Sequence, residues 1–82
     1  MLHNISITEC IEHQLQQYFA DLDGEMPCSL YEMIMNQAEE SLFRYVMESC
    51  RHNQTRAAQI LGLNRNTLRK KLIRYQLLQE KP

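Results

Sequence analysis

Five of the nine Lys and Arg residues in this 82-residue chain fall within twelve positions, Asn64–Tyr75, NRNTLRKKLIRY. The side chains in this stretch suit contact with a polyanion. A guanidinium fork pairs two-pronged with guanine, a carboxamide pairs likewise with adenine, and ammonium groups neutralise phosphates. On a helical wheel Leu68, Leu72 and Tyr75 share one arc, Asn66, Lys70 and Arg74 lie opposite, and Arg69 and Lys71 flank. Asn64 and Arg65 stand at the start of that helix, where a major-groove helix presents its base-reading residues. They are the candidate base readers. Thr55, Arg56, Thr67, Arg69, Lys70, Lys71 and Arg74 are candidates for the phosphate backbone. The amide groups at Asn53–Thr55 and Asn64–Asn66 offer two helix N-termini that favour anions. Simpler roles compete with these. Asn53 and Asn64 are good helix caps, Arg74 complements a helix dipole, and His52 fits a solvated turn.

The elements that position this segment follow from charge and periodicity. Residues 1–48 hold nine acids and one base, Arg44, whereas residues 49–82 hold eight bases and one acid, Glu80, although the whole chain is at only −1. A basic C-terminal module beside an acidic N-terminal half points to nucleic acid at one end only. Ser6 and Glu9 form a capping box that opens a first helix, along which Ile7, Ile11, Leu15, Tyr18 and Leu22 recur at steps of three and four. Asp23-Gly24 ends it, with Gly24 as the left-handed residue. After Pro27, Ser29 and Glu32 form a second capping box, and a helix runs from Leu30 to about Arg51. Its apolar residues cover more than one stripe, more than the first helix can shield. A homodimer built on the first two helices is therefore expected.

Asn53 then caps a short helix, Gln54–Leu61. Gly62 closes it, Leu63 plugs the turn, and Asn64 caps a last helix to Tyr75, beyond which the chain frays. The expected fold is all-α, with four helices in a single domain: dimerisation helices in 1–52, a helix-turn-helix in 53–76 and a tail in 77–82. Cys10, Cys28 and Cys50 are scattered thiols of a reducing compartment, and no cluster with His3, His13 or His52 makes a metal site. No apolar run exceeds three residues, so no membrane span is expected, and no secretory leader is visible. No nucleophile–base pair or phosphate loop suggests an enzyme or a cofactor.

The segment NQTRAAQILGLNRNTLRKKLIRY strongly resembles the C-terminal helix-turn-helix of the Fis family, the bacterial factor for inversion stimulation. The same motif ends nitrogen-regulator-type activators. The similarity extends upstream through QQYFADLDG and SLYEMIMNQAEESLFRYVM, from about Ile7 to Tyr75. It implies an intertwined homodimer whose first two helices build a four-helix core. It also implies a cytoplasmic, nucleoid-associated regulator that bends double-stranded DNA with an A/T-rich centre. By the match, Asn64 and Arg65 read bases, Asn53, Thr55, Arg56, Thr67, Arg69, Lys70 and Lys71 hold the backbone, and Arg51 approaches flanking DNA. The turn at Arg51 and Gln54 touches RNA polymerase in the family, and His52 stands there where its best-known member has Gly. Enteric members carry a longer N-terminal arm that activates DNA invertases. Only MLHNIS precedes the first helix here, so that activity is not expected. A separated domain of a larger activator and a helical protein-docking module with a Met-rich face are the alternative readings.

Overall fold

The computed structural model describes residues 5–78, which form four α-helices and no strand: α1 (Ile7–Leu22), α2 (Leu30–Ser49), α3 (Gln54–Leu61) and α4 (Arg65–Arg74). The chain divides within α2 into two compact units, one up to Ile34 and one from Met35.

In the first unit the capping box at α1 is formed. The Ser6 hydroxyl accepts the Glu9 amide N–H at 3.0 Å, and the Glu9 carboxylate accepts the Ser6 N–H at 3.1 Å. Those hydrogen bonds hold the Glu9 carboxyl below its usual range. The apolar stripe is half-covered at Ile11, Leu15, Tyr18 and Leu22, while Ile7 and Phe19 are exposed and no α1 residue is buried. Gly24 is left-handed as expected, at φ 89°, and Asp23 before it, the cap of α1, is left-handed too, at φ 52°. Asp tolerates this region because its short polar side chain bonds locally. The second capping box does not form, because Ser29 sits at φ 55°. A capping hydroxyl reaches the third amide from extended backbone, and left-handed Ser29 contributes only its carbonyl, which accepts the Met33 N–H at 3.1 Å.

The second unit holds the core. Phe43, Val46, Met47 and Cys50 from α2 and its end pack against Ala57 and Ala58 of α3 and Leu68 and Leu72 of α4. Ala57 and Leu72 are wholly enclosed, and the small Ala pair lets α3 and α4 approach closely. α2 stops at Ser49, short of the expected Arg51. Arg51 and His52 both turn left-handed, at φ 54° and 64°, and the His52 N–H reaches back to the Met47 carbonyl at 2.8 Å. This closure satisfies an end carbonyl of α2 and reverses the chain toward Asn53.

The expectation that the chain frays beyond Tyr75 is also corrected. Gln76 takes φ 58°, the Leu77 N–H donates to the Leu72 carbonyl at 2.8 Å, and Leu77 and Leu78 pack on the core cluster. Burial of the two leucines offsets part of the cost of ordering this segment. The remaining tail positions, 79–82, lie outside the described residues, as do positions 1–4.

Candidate nucleic-acid interface

The interface is built by two helix starts and the turn between them. Asn53 is extended and its Oδ1 accepts the Arg56 N–H at 3.1 Å, so it caps α3. Gly62 at φ 73° ends α3, a backbone angle that disfavours any side chain. The Leu63 N–H then returns to the Ala58 carbonyl at 3.0 Å, and Leu63 packs against the core. Asn64 is again extended, and its Oδ1 accepts the Asn66 N–H at 2.7 Å to cap α4. Capping therefore occupies the Asn64 oxygen, while its Nδ2 has no hydrogen-bond partner among the described residues. The core arc expected on α4 is present, with Leu68 and Leu72 buried and Tyr75 half-buried.

Between these two helix starts lies an open depression of about 410 Å³, lined by Gln54, Asn64, Arg65, Asn66 and Arg69. Every lining residue is polar or cationic, and none is acidic. Amide groups at the N-termini of α3 and α4 add partial positive charge beside it. Of the sequence-derived candidates, the structure brings Asn64, Arg65 and Arg69 together here. Asn53, Thr55, Arg56, Thr67 and Lys70 are exposed on the same two helices and their caps, and Arg51 is exposed in the turn before α3. Gln54 and Asn66 line the depression without having been singled out as DNA contacts. Gln54 is the first residue of α3, so its place follows once Asn53 is taken as the cap.

Lys71 and Arg74 differ from the other candidates, because α2 supplies them with partners. The Lys71 ammonium donates to both Glu39 oxygens, at 3.0 and 3.3 Å. The Arg74 guanidinium donates to Asn36 Oδ1 at 3.1 Å and lies 5.6 Å from the centre of the Tyr75 ring. The Tyr75 hydroxyl donates to Glu39 Oε1 at 2.6 Å and stands 3.2 Å from Asn36 Oδ1. The Tyr75 hydrogen bond, with Lys71 second, holds the Glu39 carboxyl below its usual range, and the same carboxylate pushes the Tyr75 hydroxyl up. These partners lie 32 to 39 positions apart in the chain. His52, expected to be solvated, is half-buried, and its Nδ1 is enclosed without a partner among the described residues.

Among the described residues no three His, Cys, Asp or Glu side chains group as a metal site, and no helix is long and apolar enough to cross a membrane.

The family model for bacterial regulatory proteins of the Fis family matches residues 34–75, which span most of α2 and all of α3 and α4. A protein of Neisseria meningitidis serogroup B named as a Fis-like DNA-binding protein is 54% identical over 72 residues, covering 88% of this chain and 91% of that one. A Fis-like DNA-binding protein of Ralstonia nicotianae is 49% identical, with 94% of it covered. The DNA-binding protein Fis of Actinobacillus succinogenes is 47% identical, with 73% of it covered.

Proposed function

The chain belongs to the Fis family of bacterial regulatory proteins, and from that premise we propose that it is a DNA-binding and DNA-bending regulator, not an enzyme, acting as a homodimer on the bacterial nucleoid. The observation that carries this reading is the acid-free depression shared by the starts of α3 and α4, with Asn64, Arg65 and Arg69 in it. A helix start of that kind is what enters a major groove in helix-turn-helix proteins.

In this reading Arg65 pairs with guanine, and Asn64 offers its free Nδ2 to a base edge. Asn53, Thr55, Arg56, Thr67, Arg69 and Lys70 hold phosphates on either side. Arg51, before α3, meets flanking DNA. Lys71 and Arg74, tied to Glu39 and Asn36, stand apart from this set.

The homodimer has its own support. Phe19 of α1 and Tyr31, Met35, Leu42 and Tyr45 of α2 expose large apolar surfaces, and a second copy of the chain would cover them. Two copies of the reader then meet two half-sites. Where their spacing differs from that of straight DNA, the duplex must curve, at a cost on the order of 1–6 kcal/mol. An A/T-rich centre that compresses easily lowers that cost, which selects sequence at positions no side chain touches. Sedimentation at micromolar concentration is expected to give a dimer, and a folded monomer would contradict it.

Binding of an A/T-centred duplex, followed by fluorescence anisotropy, tests the reading. Arg65→Ala is expected to weaken it by ~1–3 kcal/mol and to relax preference at one position. An unchanged affinity and preference would refute Arg65 as a reader, and no binding by the wild type would refute the function.

A further inference from the structure

Among the described residues, Glu39 is the one acid whose carboxylate holds a cation of α4. It does so while accepting the Tyr75 hydroxyl on the same group. Asn36, three residues earlier and so on the same face of α2, takes Arg74. The end of α4 is thus attached to α2 by the side chains of three residues, Lys71, Arg74 and Tyr75. Partly exposed pairs of this kind add little stability. Their consequence is geometric.

Leu68 and Leu72 seat α4 on the core from one side, and hydrophobic contact is non-directional. Packing at those two leucines fixes the pitch of α4 less sharply than contacts at its far end do. Arg65 lies about 7 Å along the axis from the midpoint of Leu68 and Leu72, at ~1.5 Å per residue, so a pivot of about 10° displaces it by about 1 Å. A two-pronged bond to a base edge is lost at such a displacement, whereas long cationic side chains still find phosphates.

We propose that Glu39 is a positioning residue for base reading. By holding Lys71 and Tyr75 it fixes the pitch of α4, and it thereby sets sequence selectivity without touching DNA. The proposal rests on the DNA-binding reading above and adds a residue from the acidic half of the chain to it. Neutralising Glu39 has a second effect of the same sign on selectivity, since it releases Lys71 to phosphates of any sequence.

The experiment compares full-length wild type, Glu39→Gln and Tyr75→Phe on two duplexes of equal length. One is the tightest binder selected with the wild type, and the other is its scrambled counterpart. Both variants are isosteric or nearly so, and circular dichroism checks that they fold. The ratio of specific to scrambled affinity is expected to fall by about tenfold in each variant, the equivalent of one lost base contact. Affinity for the scrambled duplex is expected to hold or to rise in Glu39→Gln. A wild-type ratio in either variant overturns the proposal. So does a parallel loss on both duplexes with a lowered thermal midpoint, which would mark a purely structural role. If the wild type itself does not distinguish the duplexes, the base-reading function falls, and this proposal with it.

Discussion

The salt dependence of binding should report which cations face DNA. Four exposed cations of the second unit have no side-chain partner among the described residues and no base-reading role: Arg51, Arg56, Arg69 and Lys70. Lys71 is held by Glu39 and Arg74 by Asn36. In the proposed homodimer these cations would neutralise about eight phosphates, and log affinity should fall against log salt with a slope of about −7. Between roughly 50 and 200 mM salt this amounts to about a 10⁴-fold loss. If Lys71 and Arg74 were also spent on phosphates, the count would rise to about twelve and the slope to about −11. Anisotropy titrations of one labelled duplex at several salt concentrations measure the slope directly. Arg69→Ala removes one contact per protomer and should make the slope shallower by about 1.8, whereas Lys71→Ala should change it far less. A wild-type slope shallower than about −3, or equal effects of the two substitutions, would refute the division of cations made here.

Two further outcomes can be checked. Asn64→Ser keeps a capping oxygen but removes the Nδ2 donor, so thermal stability should stay within a few tenths of a kcal/mol while DNA affinity falls by ~1–3 kcal/mol; matched losses would mean Asn64 is only a cap. Stability against pH should carry the mark of the Glu39–Tyr75 pair at both extremes. The Glu39 carboxyl is lowered from its usual 4.5, so its contribution is present above that value and is lost as pH falls through the lower folded value. The Tyr75 hydroxyl is raised from 10.0, so its contribution is present below 10.0 and is lost as pH rises through the higher folded value. Denaturant midpoints of wild type and Tyr75→Phe should therefore differ between those limits and converge beyond them. A difference independent of pH would exclude the pair as its source.

Local chemistry made much of this fold legible in the sequence. Asn53, Gly62 and Asn64 mark the ends of α3 and the start of α4, because a cap or a left-handed glycine acts within a few residues of itself. Leu68 and Leu72 were legible as core for a similar reason, since helical periodicity fixes which side chains share a face. Ser29-x-x-Glu32 shows the limit. It carries the same pattern as Ser6-x-x-Glu9, yet Ser29 is left-handed and its box does not form. A capping motif needs the backbone to arrive extended, and the connection around Pro27 decides that. Glu39 with Lys71 was illegible for another reason, as nothing local pairs residues 32 positions apart. Leu77 and Leu78 follow a helix end that reads as a stop, and their packing depends on a core surface assembled from other helices.

The capping role of Asn64, together with the base-reading role proposed for it, bears on how a protein of this kind could change its target sequence. Its Oδ1 is committed to the start of α4, so the side chains tolerated there are the few that cap, chiefly Asn, Asp, Ser and Thr. Of these, Asn alone also extends an N–H donor toward a base, and Asp would set a negative charge against phosphate. Substitution at position 64 by a side chain that does not cap therefore carries a capping cost of about 0.5–2 kcal/mol besides any effect on recognition. New preferences are accessible mainly through Arg65, Asn66 and Gln54, which line the same depression without a capping role. Altering the recognition of this reader without unravelling it is a matter of redesigning those three positions around a fixed Asn64.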